Sequence, residues 1–521
     1  MRRDRRGRCA SFRPQSRTDW LGARHRVRGS HNHQRKRQVT IRTYYRPLAA
    51  VSAAALLLLS ACGGGSNGGG SFFAGVGANG NTSSSGNSGN PPTSGETTTN
   101  TDSTAKFTIG GTISGLSAEG LALQNNGADS LSVASGATSF KFSRALTSGA
   151  SYSVGVAGHP FGEVCFVNGP SGTATADVVS IAIVCGDWVA VSAKVDVFSG
   201  ATTPGVADGA GSSARFKGPY GLAFGPDGTM YVADTANNTI RSITPAGVVS
   251  TLAGDSSLPS GGHDDGAGTA ASFKGPRGAA VGADGTIYVA DYENHMIRKI
   301  TPQGAVSVFA GSTAAGNADG SGTSAQFQYP WGIVVDAGGN LFVADQGNHL
   351  IRKITPAGVV STFAGSGAPG FVNANGTSAQ FHYPTGLAID AAGNLYVGDQ
   401  NNNVIRQITP LGTVSTYAGS GVSASIDGTG SSAAFNLPIG VAIDAGGNVY
   451  VTELLSNSIR KISPAQKVTT LAGGSSLGAY VDGPGNDARF SDPMGVAVDR
   501  NGDVFVADRS NNMIRRITRT H

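Results

Sequence analysis

Few residues of this 521-residue sequence are charged: Asp, Glu, Lys and Arg together make up only 14% of it. Coiled coils and helical bundles need many Ala, Glu, Lys and Leu residues, so this composition argues against both architectures. The sequence instead contains 78 glycines, which is typical of many short strands joined by turns. We therefore expect an all-β protein.

The sequence also lacks the basic stripe that nucleic-acid binding requires. Residues 1–61 carry 15 Lys and Arg but only Asp4 and Asp19, whereas the rest of the chain carries 23 Lys and Arg against 31 Asp and Glu. The net charge of +5 thus comes from the N-terminal segment, and the remainder is acidic. We expect no nucleic-acid partner, because such binding needs a surface that neutralises phosphates.

The apolar run of residues 49–61, AAVSAAALLLLSA, is too short for a transmembrane helix, which needs roughly 20 residues. It follows Arg42 and Arg46 and precedes Cys62, so residues 39–61 are predicted to be a signal peptide. Residues 1–38 are rich in arginine and have no apolar periodicity, which indicates either a long leader or sequence upstream of the true start.

The end of this segment, Leu59-Ser60-Ala61-Cys62, resembles the lipobox of bacterial lipoproteins. The resemblance implies that Cys62 is lipidated and becomes the mature N-terminus, so that the protein contacts a membrane only through its lipid anchor. Because Gly63 rather than aspartate follows, it also implies an outer-membrane lipoprotein of the bacterial cell envelope, facing the periplasm or the exterior. The alternative is ordinary secretory cleavage without lipid.

Two segments separate the anchor from the repeats. Residues 62–104 are rich in Gly, Ser, Thr and Asn and are predicted to be a disordered tether. Residues 105–187 alternate short apolar runs with turn residues, which predicts a small antiparallel β-sandwich-like module, interpreted as a spacer. This module contains the only cysteines after Cys62, Cys165 and Cys185. In an exported protein they are expected to form a disulfide, and two free buried thiols are the alternative.

A Pro-x-Gly step recurs six times, at intervals of 54 to 57 residues. The steps begin at Pro219, Pro276, Pro330, Pro384, Pro438 and Pro493. Each opens a period of four short apolar runs separated by turns such as Asp227-Gly228. Four antiparallel strands per period are the content of a propeller blade, so residues 188–521 are predicted to form a six-bladed β-propeller.

Within each period the residues resemble the NHL repeat, and one copy reads Asn348-His349-Leu350. The signature residues of RCC1, kelch and WD40 propellers are absent from these repeats. Some six-bladed relatives of the NHL type are lactonases or lyases that hold calcium or zinc in the central channel. The resemblance therefore implies the fold more strongly than it implies any one function.

The two ends of the repeat region predict how the ring closes. Residues Val195–Gly200 read VDVFSG and match the fourth-strand segment Val306–Gly311, VSVFAG, whereas the last copy stops after Ile517 with no fourth strand. The N-terminal strand is therefore expected to complete the last blade. An unclosed ring would leave strand edges open to aggregation.

An acidic residue after the second strand and an arginine on the third recur in all six copies. The acidic residues are Asp234, Asp291, Asp345, Asp399, Glu453 and Asp508, and the arginines are Arg241, Arg298, Arg352, Arg406, Arg460 and Arg515. One interpretation is a ring that binds a polyanion or a metal. We favour turn clamps or interblade ion pairs, because a group needed in every copy serves the scaffold.

Residues that differ between the copies are better candidates for ligand binding, since the scaffold does not require them. By propeller geometry, the loop entering the first strand and the loop between the second and third strands lie on one face, around the channel mouth. This partly aromatic rim is the expected ligand site. Its residues are Tyr220, Arg277, Tyr292, Tyr329, Trp331, Tyr383, Leu454 and Leu455. The alternative is that they are loop residues packed on neighbouring blades.

We predict a lipid-anchored binding scaffold of the cell envelope that recognises a protein, a peptide or a glycan at one face of the propeller. No paired carboxylate, nucleophile elbow or cluster with metal-ligand spacing stands out from the repeats, so we assign no catalytic residue, metal or cofactor. The alternative is a metal-dependent lyase or hydrolase acting at the channel mouth. Calcium or zinc is expected only in that case.

Overall fold

The structure is a computed structural model that describes residues 105–475 and 477–520. The leader (1–38), the signal peptide (39–61) and the tether with Cys62 (62–104) lie outside these residues. The regular elements of the described part are strands and three-residue 3-10 turns, so the all-β prediction is confirmed. Among these residues the fold contains no helix with the length and apolar character needed to traverse a bilayer.

Six antiparallel sheets form the blades of the predicted propeller. We number the blades 1 to 6 in the order of their Pro-x-Gly steps. Their innermost strands contact one another in a closed circle around the central channel. Each blade runs from this inner strand outward through three further strands, as the repeat predicts.

The strand bounds are as follows, in the order of the blades. The innermost strands are Pro219–Phe224, Pro276–Val281, Pro330–Val335, Pro384–Ile389, Pro438–Ile443 and Pro493–Val498. The second strands are Met230–Asp234, Ile287–Asp291, Leu341–Asp345, Leu395–Asp399, Val449–Glu453 and Val504–Asp508. The third strands are Thr239–Ile243, Met296–Ile300, Leu350–Ile354, Val404–Ile408, Ser458–Ile462 and Met513–Arg519. The fourth strands are Val248–Ala253, Ala305–Gly311, Val359–Ala364, Val414–Ala418, Lys467–Gly473 and Ala193–Gly200.

Five blades carry a two-residue fifth strand on their outer edge, formed by the loop that leads into the same blade. These strands are Gly209–Ala210, Gly266–Ala267, Gly320–Ser321, Gly428–Thr429 and Gly483–Pro484. The loop then brings a phenylalanine into the blade core, and all six of these side chains are fully buried. They are Phe216, Phe273, Phe327, Phe381, Phe435 and Phe490. Each entry loop is thus anchored to its blade by a phenylalanine.

The Pro-x-Gly step lies where the blades meet at the axis. Proline is tolerated there because it opens an edge strand. The glycine packs directly against the backbone of the next blade: a Cβ on Gly221 would lie 2.1 Å from the carbonyl oxygen of Arg277, and one on Gly495 would lie 2.1 Å from that of Tyr220. All six glycines make this contact, so any side chain at these positions would push neighbouring blades apart.

The N-terminal strand closes the ring, as predicted. Strand Ala193–Gly200 pairs antiparallel with Met513–Arg519, and Val195 lies opposite Ile517. It thereby supplies the fourth strand of blade 6, so that blade is complete. The side chains of Ala193 and Val195 are fully buried in the core shared by blades 5 and 6.

Residues 105–187 form two four-stranded sheets around a separate core. One sheet contains Ser139–Lys141, Ile109–Ser114, Val178–Asp187 and Glu163–Asn168, and the other contains Asp129–Val133, Leu121–Asn125, Ser151–Gly158 and Ser171–Thr173. A short pair, Lys106–Phe107 and Leu146–Thr147, lies beside them. The core between the sheets includes Ile109, Leu123 and Ile181, all at most 1% exposed.

One strand pair in this module departs from the antiparallel prediction. Strand Val178–Asp187 runs parallel to Ile109–Ser114 and antiparallel to Glu163–Asn168. Parallel neighbours need a long crossover connection, and here the strands of the second sheet supply it. The predicted disulfide is present: Cys165 and Cys185 face each other on the antiparallel pair and are bonded.

The module is packed against blades 5 and 6, which makes it more than a spacer. The Arg519 side chain donates from Nε to the carbonyl oxygen of Glu163 at 3.0 Å and from Nη2 to that of Pro160 at 3.2 Å. The buried ammonium of Lys461 donates to the carbonyl oxygen of Gly162. Burying these cations against module carbonyls ties the module to the propeller, because the donors would lose these acceptors if the module were detached.

Candidate ligand-binding site at the channel mouth

The recurring acidic residues and arginines form clamps inside single blades. In blade 1, Arg241 donates from Nη1 to Oδ2 of Asp234 at 3.0 Å, and both side chains are fully buried. Its Nη2 donates to Asp208 at 2.6 Å, in the loop that enters the blade. Asp234 also accepts from the backbone N–H of Lys217 at 2.8 Å. The clamp thus fastens the entry loop to strands 2 and 3, which confirms the structural interpretation.

Two blades vary this clamp without losing it. In blade 4, Asn373 replaces the loop aspartate and its Oδ1 accepts from Arg406 at 2.7 Å. In blade 5, Glu453 replaces the buried aspartate, and Ser425 donates to it at 2.6 Å. Each replacement keeps an oxygen acceptor within reach of the arginine, so these acceptors are engaged inside the blade.

A second recurring position links each blade to the next. The residue after the 3-10 turn between strands 2 and 3 has a positive φ in all six blades and accepts a hydrogen bond from the backbone of the following blade. These residues are Asn238, His295, His349, Asn403, Asn457 and Asn512. This residue therefore serves the turn through its positive φ, and its side chain also joins neighbouring blades.

Histidine can take this role only when its Nδ1 is unprotonated. The backbone N–H of Tyr329 donates to Nδ1 of His295 at 3.2 Å, and that of Tyr383 donates to Nδ1 of His349 at 3.1 Å. Burial lowers the pKa of both histidines, which favours the neutral ring. Both imidazoles are thus held in the tautomer that carries its proton on Nε2.

The variable residues of the Pro-x-Gly steps meet around the channel mouth, but only some of them are accessible there. Tyr220, Ile439 and Met494 are buried against one another, and Leu454 packs on this cluster. The hydroxyl of Thr385 is buried and donates to backbone carbonyl oxygens, including that of Gly398 at 3.1 Å. Tyr220 and Leu454 therefore pack on neighbouring blades, which is the alternative given above to a role in ligand binding.

Arg277 is the most unusual residue of the rim. Its guanidinium carbon lies 3.5 Å from the ring centroid of Tyr292, 4.0 Å from that of Trp331 and 4.9 Å from that of Tyr220. Its Nε is buried without a hydrogen-bond partner, and within residues 105–475 and 477–520 the side chain makes no ion pair. Burial lowers the pKa of Arg277. A cation enclosed by aromatic rings and lacking a carboxylate is a ready partner for an anion.

A small cavity lies in the channel beside this arginine. It holds about 60 Å³ and is lined by Arg277 and Trp331 at its mouth and by the axial glycines, Gly221 among them, further in. Because the glycines bring the blades together so closely, the channel is a shallow recess at this face. A small group of a ligand can enter it, whereas a whole sugar ring or side chain must stay at the mouth.

Aromatic rings continue outward from the arginine. Tyr329 is 39% exposed, and its ring centroid lies 4.9 Å from that of Tyr292 and 4.7 Å from that of His295. Tyr383 is 40% exposed and belongs to a second cluster, with ring centroids 4.7 Å from His349 and 5.4 Å from His382. These exposed rings form a platform beside the recess.

The structure adds two rim residues that the sequence did not indicate. The hydroxyl of Tyr292 donates to Oε1 of Gln346 at 3.1 Å, and Nε2 of Gln346 donates to Oε1 of Gln400 at 3.3 Å. Both glutamines occupy the position after the recurring acidic residue, which in blade 5 is Leu454. Comparing that one position across the six copies would have revealed them. Leu455, the next residue, is 52% exposed and lies outside this hydrogen-bonded row.

The donor sets for a metal are sparse. In the part of the chain that the structure describes, no three His, Cys, Asp or Glu side chains are grouped as the ligands of a metal ion would be. The clamp carboxylates are each engaged by an arginine and by backbone donors. The recess itself is lined by one guanidinium, the rings of Tyr220 and Trp331, and glycine and aliphatic residues, a set suited to binding an organic ligand.

The repeats match a known family model. The model of the NHL repeat matches residues 273–300, 327–354 and 490–517, which are strands 1 to 3 of blades 2, 3 and 6 with the phenylalanine before them. The chain contains NHL repeats. The sequence resemblance to this repeat is confirmed, and it falls on the residues that form the clamp and the blade-to-blade hydrogen bond.

Curated relatives match part of this chain over part of their own length. Protein SUPPRESSOR OF QUENCHING 1, chloroplastic, of Arabidopsis thaliana is 31% identical over 277 residues, which are 49% of this chain and 26% of the relative. NHL repeat-containing protein 2 of Bos taurus is 29% identical over 324 residues, 55% of this chain and 44% of the relative. The chain thus matches less than half the length of either protein.

A solved structure shares the fold. A structural genomics protein of unknown function from Bacteroides thetaiotaomicron superposes with a TM-score of 0.50 and 19% sequence identity, covering 76% of this chain and 90% of that protein. At this identity the similarity extends to the fold of the NHL propeller and not to its ligand.

Proposed function

We propose that this protein is a binding scaffold that recognises a protein, a peptide or a glycan at the channel mouth of its NHL propeller. The observation that carries the proposal is Arg277, a cation that forms no ion pair among the described residues and is enclosed by the rings of Tyr292, Trp331 and Tyr220. It stands where the six copies differ, so the scaffold does not explain it. Aromatic side chains and arginine are the residue types that dominate binding energy at recognition sites.

The surroundings of Arg277 support the same function. The exposed rings of Tyr329 and Tyr383 lie on the same face, where the amide of Gln400 is half-buried and accepts from the buried Gln346. Flat rings and planar amides at the rim of a shallow recess suit a ligand that lies across the face. They do not form a closed pocket in which a substrate would be shielded from water.

We further propose that the protein is an outer-membrane lipoprotein of the bacterial cell envelope, facing the periplasm or the exterior. This proposal rests on the sequence Leu59-Ser60-Ala61-Cys62 at the end of a signal peptide. The disulfide between Cys165 and Cys185 supports it, because such bonds persist in oxidising compartments. The binding face would then be presented by a protein that touches the membrane only through its acyl chains.

The binding function is tested by screening the full-length protein against arrays of glycans and peptides, in parallel with Trp331→Ala and a matched control. Leu411→Ala is that control, since Leu411 is 88% exposed in a turn between strands 3 and 4, on the opposite face. We expect ligands whose binding falls at least about tenfold in Trp331→Ala and is unchanged in Leu411→Ala.

Two outcomes would overturn this function. Ligands bound equally by all three proteins would place recognition elsewhere. Turnover of a lactone or another ester, lost on chelation and restored by calcium or zinc, would instead establish the metal-dependent hydrolase or lyase. The lipid anchor has its own test: Cys62→Ala should lose incorporation of labelled palmitate and leave the membrane fraction, and a variant that stays there would contradict the anchor.

A further inference from the structure

Arg277 differs from the six arginines that recur on the third strands. Each of those is fully buried and paired with a carboxylate, as Arg352 is with Asp345 at 3.0 Å. Arg277 is half-buried and has no such partner in the described part of the chain, whereas Arg509, whose guanidinium carbon lies 5.3 Å from the Tyr220 ring centroid, is paired with Asp492 at 3.5 Å. The channel mouth therefore contains one guanidinium whose charge the protein does not neutralise.

Within residues 105–475 and 477–520 the guanidinium of Arg277 donates no hydrogen bond to another protein group. Tyr292 and Trp331 lie within 4.0 Å of its central carbon and engage it through their rings. A guanidinium donates hydrogen bonds in its own plane, where two parallel N–H groups match the two oxygens of a carboxylate. Arg277 also lines the recess of about 60 Å³, so an anionic group that enters the recess meets these donors.

The size and charge of the recess favour a carboxylate over a phosphate. A carboxylate carries one negative charge, which a single unpaired arginine balances, whereas a phosphate carries nearly two. The cavity has room for a small planar group, and a carboxylate pairs with one guanidinium through two parallel hydrogen bonds.

The groups around the recess favour a sugar as the carrier of that carboxylate. Tyr329 presents an exposed ring beside Tyr292, and the apolar C–H face of a pyranose stacks on such a ring. The half-buried amide of Gln400, which accepts from the buried amide of Gln346, provides a polar group for a neighbouring hydroxyl. This combination of rings and planar polar groups follows the outline of a saccharide that lies flat on the face.

The geometry points to a uronate-containing glycan as the ligand, bound with the carboxylate of one sugar on Arg277 and the next ring on Tyr329. This inference rests on the proposed function, since it names the ligand class of the same channel mouth. Arg277 supplies the charge recognition, and Tyr329 sets the direction in which the glycan leaves the recess.

The test uses two probes that differ only in charge: tetragalacturonate and its fully methyl-esterified form, titrated by calorimetry into the full-length protein. We expect the acid to bind at least about tenfold more tightly than the ester, the range of one charge-assisted hydrogen-bonded contact. In Arg277→Gln the acid and the ester should bind alike. In Tyr329→Ala both should weaken while the preference for the acid remains, and Leu411→Ala should behave as the wild type.

Arg277→Lys is a second variant that keeps the charge but loses the two parallel donors. It should retain part of the preference for the acid, and its unfolding temperature shows whether the mouth is still intact. Equal affinity of the wild type for acid and ester, no binding of either, or a preference unchanged in Arg277→Gln would overturn the uronate inference. A third probe, a tripeptide with a free C-terminal carboxylate, would overturn it if it bound more tightly than the acid.

The uronate inference and the proposed function can fail separately. If neutral glycans or peptides bind in a manner that depends on Trp331, the channel mouth is still a binding site and only the uronate inference is wrong. If no ligand of the arrays depends on Trp331, both are wrong.

Discussion

The guanidinium of Arg519 lies over the indole ring of Trp188, with its central carbon 4.6 Å from the ring centroid. Arg519 ends the last strand of blade 6, whereas Trp188 precedes the strand that completes the same blade. Trp188 is fully buried and also meets the ring of Tyr450 in blade 5 at 6.3 Å. The point where the ring closes is therefore also the point where the sandwich-like module is attached.

Replacing this tryptophan should weaken the closed ring. Trp188→Ala is expected to lower the free energy of unfolding by about 3–5 kcal/mol, because it leaves a cavity between blades 5 and 6 and removes the stacking partner of Arg519. Chemical denaturation measures the change. Val191→Ala is the control: Val191 is 71% exposed in the adjoining turn, so its loss should stay within about 0.5 kcal/mol. Similar losses in both variants would contradict the role assigned to Trp188.

The clamp predicts unequal effects for two carboxylates on one arginine. Arg352 binds Asp345, which is fully buried, and Asp319, whose side chain is 54% exposed. Asp345→Ala removes the fully buried partner of the guanidinium, which also accepts from the backbone N–H of Gln328, and should cost about 3–5 kcal/mol of stability. Asp319→Ala removes a partner that water can replace and should cost less than about 1 kcal/mol. Urea unfolding of the two variants measures both losses of stability. Equal losses would contradict the roles assigned to the two carboxylates.

The blade-to-blade hydrogen bond makes His349 sensitive to acid. Its Nδ1 must stay unprotonated to accept from Tyr383, and burial, with the ring of His382 5.7 Å away, lowers its pKa. The unfolded chain therefore takes up this proton first as the pH falls below about 6.5, and stability is lost between that pH and the lower folded pKa. Each unit of pKa lowering costs about 1.4 kcal/mol in acid.

Asparagine fills the same position in four blades, which supplies a matched variant. His349→Asn should keep the hydrogen bond and lose less stability than the wild type between pH 7.5 and pH 5. Asn403→His, in the next blade, should add a loss over the same interval. Unfolding curves recorded at both pH values test the pair, and a wild type whose stability responds no more steeply than that of His349→Asn would show that His349 is not the sensor.

The disulfide should stabilise the module without shaping the recess. Replacing both Cys165 and Cys185 by serine opens a link across 20 residues and should cost about 3 kcal/mol. We expect the variant to have a lower unfolding temperature than the wild type. In reducing agent, the unfolding temperature of the wild type should fall to that of the variant. A variant whose unfolding temperature still falls on addition of reductant would indicate that another thiol bond is responsible.

Most of the propeller could be predicted from the sequence because its features recur. The spacing of the Pro-x-Gly steps gives the number of blades, and the likeness of Val195–Gly200 to Val306–Gly311 gives the closure. The recurring acidic residues and arginines could be recognised as structural for the same reason. Because the repeat occurs six times, each position can be compared across six copies within one sequence.

The remaining features depend on contacts between distant segments, which no local pattern reveals. The parallel pairing of Val178–Asp187 follows from the path of the chain through a second sheet. The attachment of Arg519 to Glu163 joins residues from opposite ends of the described chain. Likewise, the aromatic residues of the rim could be named from the sequence, but their enclosure of Arg277, and the burial of Tyr220 and Leu454, depend on how neighbouring blades pack.

The closing strand has a consequence for how the protein folds. Near the seam, Asn512 donates to the carbonyl oxygen of Thr202, its partner 310 residues earlier in the chain. Contacts between such remote segments form late, because the entropy of closing so long a loop must be overcome first. Until then blade 6 exposes an unpaired edge that can recruit a strand from another molecule. A nascent or truncated chain should consequently be most prone to self-association through the open edge of blade 6.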